Sequence, residues 1–278
     1  MFQLFNQQFI QYAFIAGTLI SVICAVVGYF VVLRSQAFAA ESLSCTGFTG
    51  ATGAAVFGLS SLLGTFLFTM LVSLGFGLLG KRLKGRDIEI GMILSFALGL
   101  GVLFLKLYTS NAAETVGILF GSILSVTTGD LYLSLATGII ALSVLGIIFR
   151  PLLFSSIDPE VAQARGVPIR LLGIIFMLLL GITVGEAILV VGVLLVFALL
   201  IAPAATAAHL SNRPGKSILI SVGLGLVFMW GGMFLGLLFN VPVSFCIAGL
   251  ASLTYLITVP FVHIISPHFY NQLPDEVE

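Results

Sequence analysis

The chain has 278 residues, 59% hydrophobic and only 8% charged, with equal numbers of acidic and basic side chains and a mean hydropathy of +1.22. A soluble domain carries about 25% charged residues, so this composition excludes one and defines an integral membrane protein. A formal net charge of zero gives no global field for nucleic acid. Cys24, Cys45 and Cys246 fit neither a zinc ribbon nor a disulfide framework.

A bilayer core needs about 20 apolar residues per helix. The residues before the first apolar run, Met1 to Gln8, hold no Lys or Arg, so the run reads as a span and not as a cleaved signal peptide. Spans are expected at about Phe9–Leu33, Ala37–Leu59, Ser60–Gly80, Ile88–Leu107 and Leu131–Phe149. From Leu171 to His209 there is room for two more, with a tight turn near Gly185-Glu186. The last two are expected at Ser217–Phe239 and Val243–Val262. The fold class is therefore an all-α polytopic bundle of 8–9 transmembrane helices, with residues 1–278 forming one domain.

Charge placement orients the bundle. Arg34, then Lys81, Arg82, Lys84 and Arg86, then Arg150, Arg165 and Arg170, then Arg213 and Lys216 form groups separated by even numbers of spans. The positive-inside rule makes that side cytoplasmic, with the amino terminus outside and the acidic tail, Asp275 to Glu278, inside. Lys106 is left on the outer side. Between Tyr108 and Asp130 the apolar stretch Val116–Val126 is too short to cross, and reads as a short helix packed on the bundle. Glu114, Asp130 and Lys106 read as surface groups or contacts for an external protein.

The longest polar interval carries complete helix punctuation. Asp158 is placed to cap, Pro159 suits the first helical position, and Glu160 sits in the first turn, where the dipole favours a carboxylate. Arg165 falls in the last turn, Gly166 suits a left-handed stop, and Pro168 prevents continuation. Residues 157–168 thus form a short helix at the cytoplasmic face, a handle for a soluble partner or simply a well-capped loop.

The intramembrane pair of interest is Glu41 with Cys45, four apart and on one helical face. Counted from Arg34, Cys45 falls about 16 Å along, near the midplane. An ionisable side chain at that depth costs about 3 kcal/mol or more, so function is the default reading. A carboxylate and a thiolate together bind divalent metal, the thiolate favouring softer ions such as zinc. The plain alternative is a carboxyl bonded to a neighbouring helix and a small packing thiol. Cys24 and Cys246 read as core residues, and Glu186 as a cap or solvated group in the outer turn. The glycine pairs Gly117/Gly121, Gly181/Gly185 and Gly232/Gly236 read as close helix contacts. Gly75 to Arg82 imitates a nucleotide-binding loop but has Arg82 where Ser or Thr must follow the Lys. The chain is thus read as no enzyme, with no nucleotide site of its own.

Several stretches share a family pattern: Val31 to Arg34, Glu41 to Thr46, Asp87 to Ser95, Leu119 to Ser125, Asp158-Pro159-Glu160, Ala164 to Pro168, Val190 to Val196, and Ala202 to Ala207. In this order and spacing the chain resembles the membrane permeases of bacterial zinc and manganese ABC importers, the ABC-3 family. The resemblance implies a bundle like that of the cobalamin-type importers and a pair of permeases around a central pathway. It implies cytoplasmic ATP-binding-cassette ATPases, which use the ATP, docked on the short helix. It also implies an extracytoplasmic metal-binding protein that delivers the ion. Asp158, Pro159, Glu160 and Arg165 then seat and transmit force from the ATPase, and Glu41 and Cys45 line the pathway. The family carries Asp-x-x-x-His in the second span and a Pro shortly after; here Glu41, Cys45 and Thr49 stand there. Metal selectivity therefore does not carry over directly. Importing a non-metal solute or metal chelate, or ATPase-independent secondary transport, are the competing functions.

Overall fold

The structure is a computed structural model and describes residues 8–79, 87–107, 121 and 126–265. Lys81, Arg82, Lys84, Arg86, Glu114, His268 and the acidic tail fall outside these residues, as does nearly all of the expected short helix at Val116–Val126. Among the described residues the chain is helical: α1 Gln8–Leu33, α2 Ala37–Val56, α3 Ser61–Leu79, α4 Asp87–Leu107, α5 Thr128–Ile157, α6 Pro159–Ala164, α7 Ile169–Val191, α8 Val193–Leu210, α9 Pro214–Phe239 and α10 Val243–Ile265. Eight of these are long and apolar enough to cross a membrane. The ninth long helix, α2, is rich in Gly, Ala, Ser and Thr.

That composition fits the position of α2. It is walled by α3, α4, α7 and α8, and thirteen consecutive residues, Ser42 to Ala54, are buried. A helix sheltered by protein needs no lipophilic surface, and most of its hydroxyls bond to nearby carbonyls, Ser42 Oγ being the exception. Ser44 donates to the Ala40 carbonyl at 3.2 Å, Thr46 to Leu43 at 2.8 Å and Thr52 to Phe48 at 3.0 Å. Small residues also let backbones touch. A Cβ on Gly64 would lie 2.1 Å from the Gly50 carbonyl oxygen, and one on Gly50 would lie 2.3 Å from that of Gly64. So α2 and α3 meet backbone to backbone. Gly181 and Gly185 give room to the Ser73 and Thr69 side chains of α3, and Gly232 and Gly236 to the start of α10, at Ile247 and Val243.

α1 and α8 form the other half of the core, with Gly28 against the Leu200 carbonyl. α9 is fastened to α1 by two hydrogen bonds, Ser221 Oγ to the Ala25 carbonyl at 3.1 Å and Trp230 Nε1 to Thr18 Oγ1 at 2.9 Å. Large apolar side chains such as Leu67, Phe96, Ile147, Leu219 and Phe245 point outward, where a bilayer supplies the apolar medium that water cannot.

Three expectations need correction. The fifth span does not stop at Phe149: α5 runs on through Arg150 and Pro151 to Ile157. A proline costs the helix one bond and some strain, but the 30-residue helix, about 45 Å long, tolerates it. The turn between the sixth and seventh spans lies at Gly192, not near Gly185-Glu186. There φ is 85° and ψ 158°, a conformation open essentially to glycine alone. Cys246 is only half-buried, unlike Cys24.

Candidate functional site

Two places concentrate the chemistry. At one end of the bundle α5 hands over to α6 through Asp158, whose carboxylate accepts from the Val161 amide at 3.0 Å. Pro159 occupies the first helical position, and Arg165 is the C-cap. Gly166 follows with φ +80°, and Val167 N–H returns to the Ala162 carbonyl at 3.0 Å. Each signal in Asp158 to Gly166 therefore takes the role its chemistry dictates. A six-residue helix is too short to persist alone in water; here it is seated by Ala162, which is fully buried. The Arg165 guanidinium lies 5.7 Å from the centre of the Phe154 ring, a cation–π contact that pins its end to α5. The outer face presents Glu160, Val161, Ala164 and Arg165, and Ile157 just before it is also exposed. On this face two charges flank exposed apolar side chains.

The same end holds a link that the sequence alone did not reveal. Arg34, in the turn between α1 and α2, donates from a guanidinium nitrogen to Ser156 Oγ at 3.3 Å and lies 5.5 Å from the Phe176 ring centre. Burial pushes its pKa down from the usual arginine value. Residues 122 positions apart thus join the α1–α2 turn to the end of α5, two residues before the α6 cap. The sequence signal was present as Arg34 itself, but its partner is set by packing.

The second place is Glu41 with Cys45 on α2. The Cys45 thiol donates to Glu41 Oε1 at 3.9 Å, so the two side chains do share a face. Glu41 is half-buried and Cys45 is 4% exposed, so the thiol lies deeper than the carboxyl residue. Glu41 Oε2 is buried without a hydrogen-bond partner. A buried carboxyl oxygen in that condition is costly, and a cation or a donor from another molecule removes the cost. Because α2 begins at Ala37, Glu41 lies about 6 Å and Cys45 about 12 Å into a helix of about 30 Å. The pair sits nearer the α6 end than a count from Arg34 implies. Thr49 stands one turn beyond Cys45 and donates to the Ala97 carbonyl of α4 at 2.5 Å. Among the described residues no group of three or more His, Cys, Asp or Glu gathers, so one chain offers a two-residue ligand set.

Other candidates separate. Asp130 forms a capping box with Thr127: its carboxylate accepts from the Thr127 amide at 2.9 Å and hydroxyl at 2.7 Å. The Gly75–Leu79 part of the nucleotide-loop imitation is the end of a helix. Glu186 is neither a cap nor solvated. It is 3% exposed, inside α7, and accepts from Ser134 Oγ of α5. The helix continues past it because the sharp stop is at Gly192. An acidic residue with apolar neighbours on both sides, Ile182 to Val191, was the available sign of burial.

A polytopic bundle of long apolar helices around a sheltered polar helix is the architecture of a membrane-embedded subunit. Residues 6–262 match the ABC 3 transport family, and the chain belongs to it: it is a multi-pass ABC transporter permease, not itself the catalytic subunit. It is 30% identical over 260 residues to the manganese transport system membrane protein MntC of Halalkalibacterium halodurans, covering 93% of this chain and 89% of that one. It is 32% identical to the manganese import system permease protein ScaB of Streptococcus gordonii, covering 90% of each. It is 30% identical to the high-affinity zinc uptake system membrane protein ZnuB of Buchnera aphidicola, covering 92% and 97%. Among solved structures it resembles PsaBC from Streptococcus pneumoniae in complex with Fab, with a TM-score of 0.81, 29% identity and coverage of 93% and 95%. An inward-facing metal-chelate type ABC transporter shares the fold, with a TM-score of 0.65 and 21% identity over 91% and 84%.

Proposed function

We propose that this chain is the membrane permease of an ABC importer that moves a divalent transition-metal ion of the zinc or manganese class. The observation that carries the reading is the likeness, over about nine-tenths of the chain, to proteins named for manganese and zinc uptake. Glu41 and Cys45 form the metal-facing pair: the carboxylate meets the ion, and the thiol one turn deeper adjusts its affinity and softness. α6 is the coupling helix. Asp158 and Pro159 hold its shape, and Glu160 and Arg165 meet a cytoplasmic ATP-binding-cassette ATPase. That ATPase hydrolyses the ATP; this chain carries no nucleotide site. The α6 end faces the cytoplasm, the amino terminus lies outside, and the chain acts as one domain. A second copy of the permease lines the other side of the pathway, and an extracytoplasmic binding protein delivers the ion.

ATP-driven closure of the ATPases pushes on α6. Arg34 and Ser156 lie where that push passes from α5 to the start of α2, so the access of Glu41 changes with it. A chelate as cargo is the second reading, favoured by Cys45 standing where the family has an imidazole. The reconstituted complex, with its ATPase and binding protein, separates the two. Uptake of free zinc or manganese ion, lost in Glu41→Ala, supports the first; uptake of a metal only when chelated supports the second.

A further inference from the structure

Apart from the Glu41–Cys45 pair and away from α6, a small cavity of ≈ 10 Å³ opens between α1, α5 and α7, lined by Ile20, Cys24, Thr137, Gly138, Thr183 and Glu186 among others. That is about the room one water molecule occupies, and a water held there needs two to four polar partners. Glu186 supplies the first. Its Oε1 accepts from Ser134, but its Oε2 is buried without a partner. The two threonines supply the others. Thr137 Oγ1 donates to the Leu133 carbonyl at 2.8 Å, and Thr183 Oγ1 to the Leu179 carbonyl at 3.0 Å. Each hydroxyl has thereby spent its proton on its own helix and keeps lone pairs to accept with. While so engaged neither has a proton left for Glu186, although Thr137 lies within hydrogen-bonding reach of the carboxyl. One water has two protons, so it donates to Oε2 and to one threonine oxygen at a time, making two hydrogen bonds.

The site's position gives it a consequence. Ser134 and Thr137 belong to α5, and Glu186 and Thr183 to α7, the two helices that flank α6 in the chain. Along α5 the site lies about 35 Å from the α6 end. We propose that the cavity binds a single water, and that Glu186, Ser134, Thr137, Thr183 and this water form a hydrated clasp. The clasp holds α5 to α7 at the end away from α6, so that a push on α6 turns the two helices together and does not splay them. The mechanical part rests on the coupling role proposed for α6; the hydration does not.

The test uses the assembled transporter in lipid. A high-resolution map should show a density peak between Glu186, Thr137 and Thr183; a dry cavity overturns the proposal. Metal uptake per ATP hydrolysed is then compared across three variants. Glu186→Gln keeps an acceptor for Ser134 and a hydrogen-bonding atom for the water, and should stay within about twofold of wild type. Glu186→Leu, and Thr137→Val with Thr183→Val, should lower that ratio about tenfold, the size of a lost buried hydrogen-bond set, while ATP hydrolysis continues. The double threonine variant leaves the Ser134–Glu186 bond in place, so it carries the test if Glu186→Leu does not accumulate. Wild-type coupling in the double variant overturns the clasp. So does a Glu186→Gln defect as deep as that of Glu186→Leu, which would mean that the site uses its charge to hold a cation. A wild-type complex that moves no metal ion would instead sink the importer reading and leave the map result standing.

Discussion

Replacing Asp158 by Ala removes the side-chain bond to the Val161 amide, 3.0 Å long, and leaves the six-residue α6 without its N-cap. Such a loss costs about 0.5–2 kcal/mol, and α6 has few other anchors: the buried Ala162, the Arg165 contact with Phe154 and the turn at Gly166. The bundle does not depend on the cap, so the cost falls on the local opening of α6. Amide exchange of residues 161–165 in the purified permease should accelerate about 2- to 30-fold, the range that this energy implies at room temperature. Exchange in α1 and α7 should stay unchanged. Asp158→Asn, an equally good cap, should restore protection, and uptake should follow the same order. Wild-type exchange in Asp158→Ala would refute the capping argument. An Asn variant as labile as the Ala variant would refute it too, because charge and not the cap bond would then hold the helix.

Glu160→Ala with Arg165→Ala should lower the yield of ATPase co-purified with the permease while leaving the permease monodisperse. Glu41→Ala should abolish metal uptake in the reconstituted complex with assembly intact if its carboxyl meets the ion as proposed. Cys45→Ser should shift preference away from zinc toward harder ions in competition uptake assays, because a hydroxyl replaces the soft thiol. Gly64→Ala should destabilise the bundle by about 1–3 kcal/mol, seen as a lower unfolding temperature in detergent, because its Cβ would meet the Gly50 carbonyl at 2.1 Å. Gly75→Ala is the matched control. It is helical with nothing within 4 Å of the added atom, so it should be neutral or stabilising by about 0.5–1 kcal/mol.

What was legible in the sequence was local. Asp158, Pro159 and Gly166 act through the backbone within a few positions, so their order in the chain marks where α6 starts and stops; the Arg165 contact with Phe154 and the burial of Ala162 are added by packing. The spans were legible because lipid demands long apolar runs, and α2 because its small residues could only be sheltered by other helices. The errors arose where packing decides. Gly192 breaks the α7–α8 run and Gly185 does not, because Gly185 is used as contact surface for Thr69. Glu186 was therefore misplaced, and its partner Ser134, 52 positions away, had no signal in the sequence. The Arg34–Ser156 link is the same kind of case. The fifth span was expected to end at Phe149, yet the packing of α5 against α1 and α7 carries the helix on through Pro151.

The central claim is that a soluble ATPase grips α6 from the cytoplasm. The most direct measurement is site-directed crosslinking in intact cells, with Cys placed at Glu160 and Ala164, both exposed, and the ATPase co-expressed. A crosslink from both positions to the ATPase, protected from a membrane-impermeant thiol reagent added outside, is the predicted result. Labelling of either position from outside, or its failure to reach the ATPase in a complex that still transports, would contradict the account.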